Sequence, residues 1–200
     1  QVNPIKGVLV IVGLDSTGLN PAATFFQVQA GTLVLLDELF VADIAFQTFT
    51  DEVLVKFIED NYRGVPIHIC SDPANPRDNN QALTPQYILQ SRNFRTSLAP
   101  SNDVAKRLEA VFHFLAKPNG FKVNERCTMS VAGFRGRYQY KMITVYGMGK
   151  VRSNSPLKNE YANVHDSIQY GCMRIYAAIV ATIKKRGKKK PPPRVNHPVM

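Results

Sequence analysis

Short continuous apolar runs and longer amphipathic stretches alternate along this chain. Gly7 to Leu14 reads GVLVIVGL, rich in Val and Ile, which is the pattern of a strand buried on both faces. It ends at Asp15, and Ser16-Thr17-Gly18-Leu19-Asn20-Pro21 supplies a turn. Ala23 to Gln29 and Thr32 to Phe40 then read as two strands joined tightly at Gly31, an antiparallel meander. Thr50 predicts a helix N-cap, with Asp51 and Glu52 in the first turn and Val53, Leu54, Phe57 and Ile58 at helical spacing; Gly64 closes that helix. Val65 to Cys70 predicts a fourth strand, stopped by Ser71-Asp72-Pro73. Pro85 opens a short helix to about Asn93. Ser101 or Asn102 caps another, with Val104, Leu108, Val111, Phe112 and Leu115 as its apolar face. Tyr138 to Val145 reads as a strand between glycines. Asn163 predicts the cap of a long last helix striped by Ile168, Cys172, Ile175, Ile179 and Ile183. The order predicts an α/β fold on one mixed sheet flanked by helices.

Charge changes the picture mainly at one end. The chain of 200 residues has a net charge of +10, but Lys184, Lys185, Arg186, Lys188, Lys189, Lys190 and Arg194 supply seven positives with no acid among them. The remaining 18 basic residues stand against 15 acidic ones, so the body is only mildly basic. Residues 1–186 are therefore expected to form one domain and 187–200 a basic, Pro-rich, disordered tail. Three widely spaced cysteines without a CxxC pair argue against a zinc site or a disulfide framework. No apolar run is long enough for a membrane span, and no secretory leader is visible. A chain that starts with Gln and enters a strand almost at once reads as a piece of something longer.

The candidate chemistry lies in carboxylates. Asp15 ends the first apolar strand and Asp72 the fourth. If those strands are neighbours, both acids emerge at one sheet edge, where ligands of open α/β sheets bind. Asp166 is expected in the first turn of the last helix, where the helix dipole favours an anion. Three converging carboxylates repel one another unless cations neutralise them. Oxygen ligands of this kind suit Mg²⁺ or Mn²⁺, and two such ions can hydrolyse a phosphodiester.

The segments around these acids carry a resemblance. Gly13-Leu14-Asp15-Ser16-Thr17-Gly18-Leu19-Asn20-Pro21-Ala22-Ala23 resembles the first nuclease motif of the large terminase subunits of tailed phages. Ser71-Asp72-Pro73-Ala74-Asn75-Pro76-Arg77 is similar to the second. Pro156-Leu157-Lys158-Asn159-Glu160 with Asn163-Val164-His165-Asp166-Ser167-Ile168-Gln169-Tyr170 is similar to the third. The order is the family's. Ser16 departs from a frequent aromatic residue, Asn75 from Gly and Ser167 from Ala, and Asn163 stands where some members have Ser or His. The resemblance implies a ribonuclease H-like nuclease cutting concatemeric double-stranded viral DNA during genome packaging. It implies metal ligation by Asp15, Asp72 and Asp166, with two Mg²⁺ or Mn²⁺ ions. It also implies action in the host cell cytoplasm beside an ATPase domain, a small terminase subunit and a portal. The sequence holds no GxxxxGK[ST] loop; Gly147-Met148-Gly149-Lys150 is only a partial match, so ATP hydrolysis is not expected.

Arg135, Arg137, Lys141, Lys150 and Arg152 are interleaved with aromatic residues and are expected to form a basic hairpin against the DNA backbone, with Lys158 nearer the carboxylates. His165, next to Asp166, is expected to have a packing or surface role and not to ligate; His68 is expected in the core or at its rim. Asp37 or Glu38 is a candidate for a fourth, water-mediated ligand. Two rival readings stay open: a resolvase or ribonuclease H of the same fold, and a non-catalytic DNA-docking module with a vestigial acidic cluster.

Overall fold

The computed structural model describes residues 2–73 and 84–187, with the side chains of 186 and 187 left out. Six strands form one sheet: β1 (Val10–Asp15), β2 (Ala22–Gln29), β3 (Thr32–Phe40), β4 (Ile67–Ser71), β5 (Arg95–Leu98) and β6 (Phe121–Val123). Their spatial order is β5-β4-β1-β2-β3-β6. β2 runs antiparallel to β1 and β3, whereas β1–β4, β4–β5 and β3–β6 are parallel pairs. The sheet is mixed, as expected. β5 carries no apolar run, and the alternation of β6, Phe121-Lys122-Val123, is only three residues long; parallel pairing at the sheet's edges defines both strands.

β1 is buried on both faces, which is why its sequence reads as a continuous apolar run. Val10, Val12 and Leu14 point into one core with Phe25 and Leu36. Its other wall is a rod made of α1 (Phe46–Phe49), a π-helical turn over Thr50–Leu54, and α2 (Val55–Asn61), joined by α3 (Pro85–Gln90). Ile11 points into the opposite core with Phe26 and Leu35, under α4 (Val104–Leu115), α5 (Thr128–Ala132) and α6 (Glu160–Gly187). Each fully buried Leu or Phe on these faces contributes roughly 2 kcal/mol. A separate hairpin pairs β7 (Tyr140–Val145) with β8 (Gly149–Pro156).

Several expected boundaries move. Thr50 does not cap a helix: the rod begins at Phe46, and the Thr50 hydroxyl donates to the Phe46 carbonyl (2.9 Å). Asp103, not Ser101 or Asn102, caps α4 by accepting from the Lys106 N–H. The buried face of α4 is Arg107, Ala110, Val111 and Phe114, leaving Phe112 63% and Leu115 44% exposed. The expected face was therefore rotated, because an arginine was excluded from it. Gly133–Arg137 forms a helical turn that continues α5, so Arg135 and Arg137 stand beside the hairpin and not on it. Gly147, Met148, Gly149 and Lys150 form the hairpin's turn and the start of β8. The expected tail, beyond Gly187, lies outside the described residues.

Candidate metal centre

β1 and β4 lie side by side in parallel register, with Leu14 opposite Ser71. Asp15 is the last residue of β1 and Asp72 follows the last residue of β4, so both acids leave the sheet at one edge. The Asp72 N–H donates to the Leu14 carbonyl (3.3 Å), extending the pairing to the acid itself. Asp15, Asp72 and Asp166 are 2%, 6% and 5% exposed, respectively, which withdraws three carboxylates from water together.

Asp166 reaches them because α6 crosses the sheet over β1 and β2 at unusually close range. A Cβ at Gly13 would run into the Ser167 carbonyl and the Gly171 backbone, so only hydrogen allows the approach. The Ser167 hydroxyl donates to the Val164 carbonyl (2.7 Å) and meets the Thr24 hydroxyl on β2 (3.1 Å). Asn163 is not the helix cap. Its side-chain N–H donates to the Asn20 carbonyl (2.6 Å), while Asn159 Oδ1 caps the helix by accepting from the Tyr161 and Ala162 N–H groups. The helix therefore starts at Glu160 and places Asp166 in its second turn, where the field of the helix end has largely faded.

Cationic side chains hold Asp166 instead. Lys158 Nζ, on a side chain 75% exposed, lies 3.3 Å from Oδ2, and Arg107 Nη1 lies 3.4 Å from Oδ1. Arg107 was missed in the sequence; its spacing of three, four and seven residues from Val104, Val111 and Phe114 was the available signal. Its guanidinium rests over the Tyr170 ring (5.1 Å to the centroid) and donates to the Tyr170 hydroxyl (2.9 Å), which donates onward to Asn102 Oδ1 (3.0 Å).

Burial pushes the Asp15 carboxyl up to about 6, helped by the charges of Asp166 and Asp72 and opposed by the hydrogen bonds from Thr17. Those come from the Thr17 N–H (3.1 Å) and hydroxyl (2.7 Å), both to Oδ1. Among the described residues no group of three or more His, Cys, Asp and Glu side chains stands in an arrangement that could hold a metal ion. The available oxygens are turned on Thr17, Lys158 and Arg107, yet Asp166 Oδ1 is buried and makes no hydrogen bond.

The neighbouring candidates resolve into structural parts. His165 is buried, stacks on Tyr138 (4.7 Å, 8° between planes) and meets Phe134 edge-on; a Cβ at Gly133 would strike its ring. Burial pulls its imidazole down to about 4. Asp37 accepts from the Tyr62 hydroxyl and pairs with Arg126 (2.7 Å). Glu38 accepts from the N–H groups of Met129 and Ser130 at the start of α5. Neither stands free as a fourth ligand. His68 is half-buried and within 2.8 Å of Ser97 Oγ. Arg135, Arg137, Lys141, Lys150 and Arg152 are all exposed, with Arg152 lying over the Tyr140 ring (4.7 Å). The hairpin's base adjoins α6: Gln169 donates to the Tyr138 hydroxyl (2.9 Å), and the Leu157 N–H to the Gln139 carbonyl (2.8 Å). Ala74 to Arg77 of the second motif lie outside the described residues. The three cysteines are free and buried, and no helix among the described residues is long and apolar enough to cross a membrane.

A mixed sheet with helices on both faces and carboxylates at the ends of two neighbouring parallel strands is a ribonuclease H-like architecture. In particular, the fold is that of the nuclease domains of phage large terminases. The large terminase of a thermophilic bacteriophage, in complex with ADP, aligns with a TM-score of 0.63 at 16% identity, over 88% of this chain and 42% of that one. The g2p (large terminase) nuclease domain of bacteriophage SPP1 with bound Mn aligns with a TM-score of 0.53 at 14% identity, over 86% of this chain and 94% of that one. The large terminase nuclease of thermophilic phage G20c with bound magnesium aligns with a TM-score of 0.58 at 8% identity, over 85% and 83%. At these identities the likeness is one of fold, and the chain spans about two fifths of the length of the ADP-bound terminase. No protein-family model matches the sequence, and no curated protein matches it.

Proposed function

We propose that this chain is the nuclease part of a DNA-packaging motor, an endonuclease that hydrolyses double-stranded viral DNA with divalent metal. The observation that carries this reading is the meeting of Asp15 and Asp72, on adjacent parallel strand ends, with Asp166 from α6. The residues fit such ions in chemistry, being all oxygen donors with Asp166 Oδ1 left without a hydrogen bond, while in the present arrangement Asp15 is turned on Thr17 and Asp166 on Lys158 and Arg107. Bound there, Mg²⁺ or Mn²⁺ would lower the pKa of a water and offset charge on the leaving oxygen. The likeness in fold to the SPP1 domain with bound Mn and the G20c nuclease with bound magnesium supports this choice of metals.

Asp15, Asp72 and Asp166 would hold the ions. Lys158, exposed beside Asp166, would move to a DNA phosphate. Arg135, Arg137, Lys141, Lys150 and Arg152 would contact the backbone without reading bases. In the whole motor the partners would be an ATPase domain, a small terminase subunit and a portal, in the host cytoplasm. Residues 1–186 would be the nuclease unit.

The test is incubation of supercoiled plasmid with the chain in Mg²⁺, Mn²⁺ or chelator, beside Asp72→Ala. Metal-dependent nicking and linearisation, lost in the variant, is the expected result. Folded protein that binds DNA but cuts it in neither metal overturns the nuclease reading in favour of a docking module.

A further inference from the structure

We propose that Arg107 is a built-in counter-cation that lowers the affinity of the carboxylate site for divalent metal, so that the ions compete with it for Asp166. The proposal deepens the nuclease reading and rests on it. Arg107 is the one Lys or Arg among the described residues that is buried, at 5% exposure. It stands on α4, outside the strands and helix that carry the acids, and faces Asp166 Oδ1 at 3.4 Å.

The pair has an unusual form for a structural salt bridge. Its two ends approach without closing a hydrogen bond: Asp166 Oδ1 has no hydrogen-bond partner, and Arg107 Nε is likewise buried and unpaired. Unpaired buried polar atoms destabilise a fold, and a buried ion pair is a poor source of stability even when closed. The guanidinium is held back from the carboxylate by other contacts: Nη1 bonds the Tyr170 hydroxyl, the plane lies over the Tyr170 ring, and Tyr170 is fixed by Asn102. What this arrangement supplies is a fixed positive charge beside a buried oxygen that makes no hydrogen bond. The charge acts through low-dielectric surroundings, where it offsets repulsion among three carboxylates and repels an incoming divalent ion. Lys158 differs, because its exposed side chain is free to leave.

Mn²⁺ binding to the full chain without DNA, followed by the electron paramagnetic resonance of free Mn²⁺, tests this. Arg107→Gln is expected to bind Mn²⁺ at least about tenfold more tightly than the unaltered chain. Arg107→Met, which removes the charge and fills the volume, is expected to do the same and serves if the Gln variant fails to fold. Arg107→Lys keeps the charge and is expected to bind as the unaltered chain does. Folded neutral variants with equal or weaker Mn²⁺ affinity overturn the proposal, as does tighter binding by Arg107→Lys. Asp15→Asn separates the two readings. Mn²⁺ binding that needs Asp15 but ignores Arg107 sinks this inference alone. Binding indifferent to Asp15, or no binding by any variant, sinks the metal site and this inference with it.

Discussion

Gly13 of β1 lies directly beneath Gly171 of α6, at a distance no Cβ would permit. That contact sets the height of α6 above the sheet and with it the level of Asp166. Gly13→Ala is therefore expected to destabilise the fold by about 3 kcal/mol, the upper range for overpacking a tight core. Urea denaturation checks this, and an unchanged midpoint would show that α6 can lift without cost.

Asp15→Asn is expected to reduce metal-dependent plasmid cutting by at least about a thousandfold while keeping the fold. Its stability should respond to pH in a definite sense. The native carboxyl titrates near 6, above its ordinary value of 3.8, so the folded state disfavours the charged form. Above pH 6 that disfavour is complete, and the neutral Asn should be the more stable residue by about 3 kcal/mol without metal. The advantage should shrink as pH falls from 6 and vanish below about 4. Chemical denaturation at pH 7.5 and pH 4 measures it.

His165 works in the opposite direction. Burial lowers its pKa from 6.5 to about 4, so the unfolded chain takes up the proton first as pH falls. The stability it allows is fully present above pH 6.5 and is lost between there and pH 4, by about 3 kcal/mol. His165→Phe keeps a ring against Tyr138 and should flatten that part of the pH–stability curve. A variant curve parallel to that of the unaltered chain would contradict the assignment.

Replacing Lys141, Lys150 and Arg152 together with Ala should weaken duplex binding without regard to sequence. Each lost phosphate contact should flatten the plot of log affinity against log salt by roughly 0.9. An unchanged slope in chelator would remove the hairpin from the DNA interface.

Much of the candidate site was legible because its two strand acids follow apolar runs that fill both cores. Gly7 to Leu14 and Val65 to Cys70 read as strands; the structure starts them later, at Val10 and Ile67, and Asp15 and Asp72 stand at their ends. The third acid was legible through its motif and not through its local setting: Asn163 looks like a cap but reaches across to Asn20, and Asn159 does the capping. Arg107 was passed over, despite its spacing from Val104, Val111 and Phe114, because a basic residue on an amphipathic helix normally faces water and its burial depends on Tyr170 and Asp166, far along the chain. β5 and β6 were missed for a related reason, since β5 has no apolar pattern, the alternation of β6 spans only three residues, and pairing with distant strands makes both of them strands.

The three acids come from both ends and the middle of the chain, and the last arrives on the element made last among those described. During synthesis, all six strands and the β7–β8 arm leave the ribosome before α6 does. A chain interrupted after Pro156 would carry two of the acids but neither Asp166 nor the helix that roofs Ile11, Phe26 and Leu35. On the nuclease reading proposed above, the order of translation would complete the acidic set only once the last helix is made.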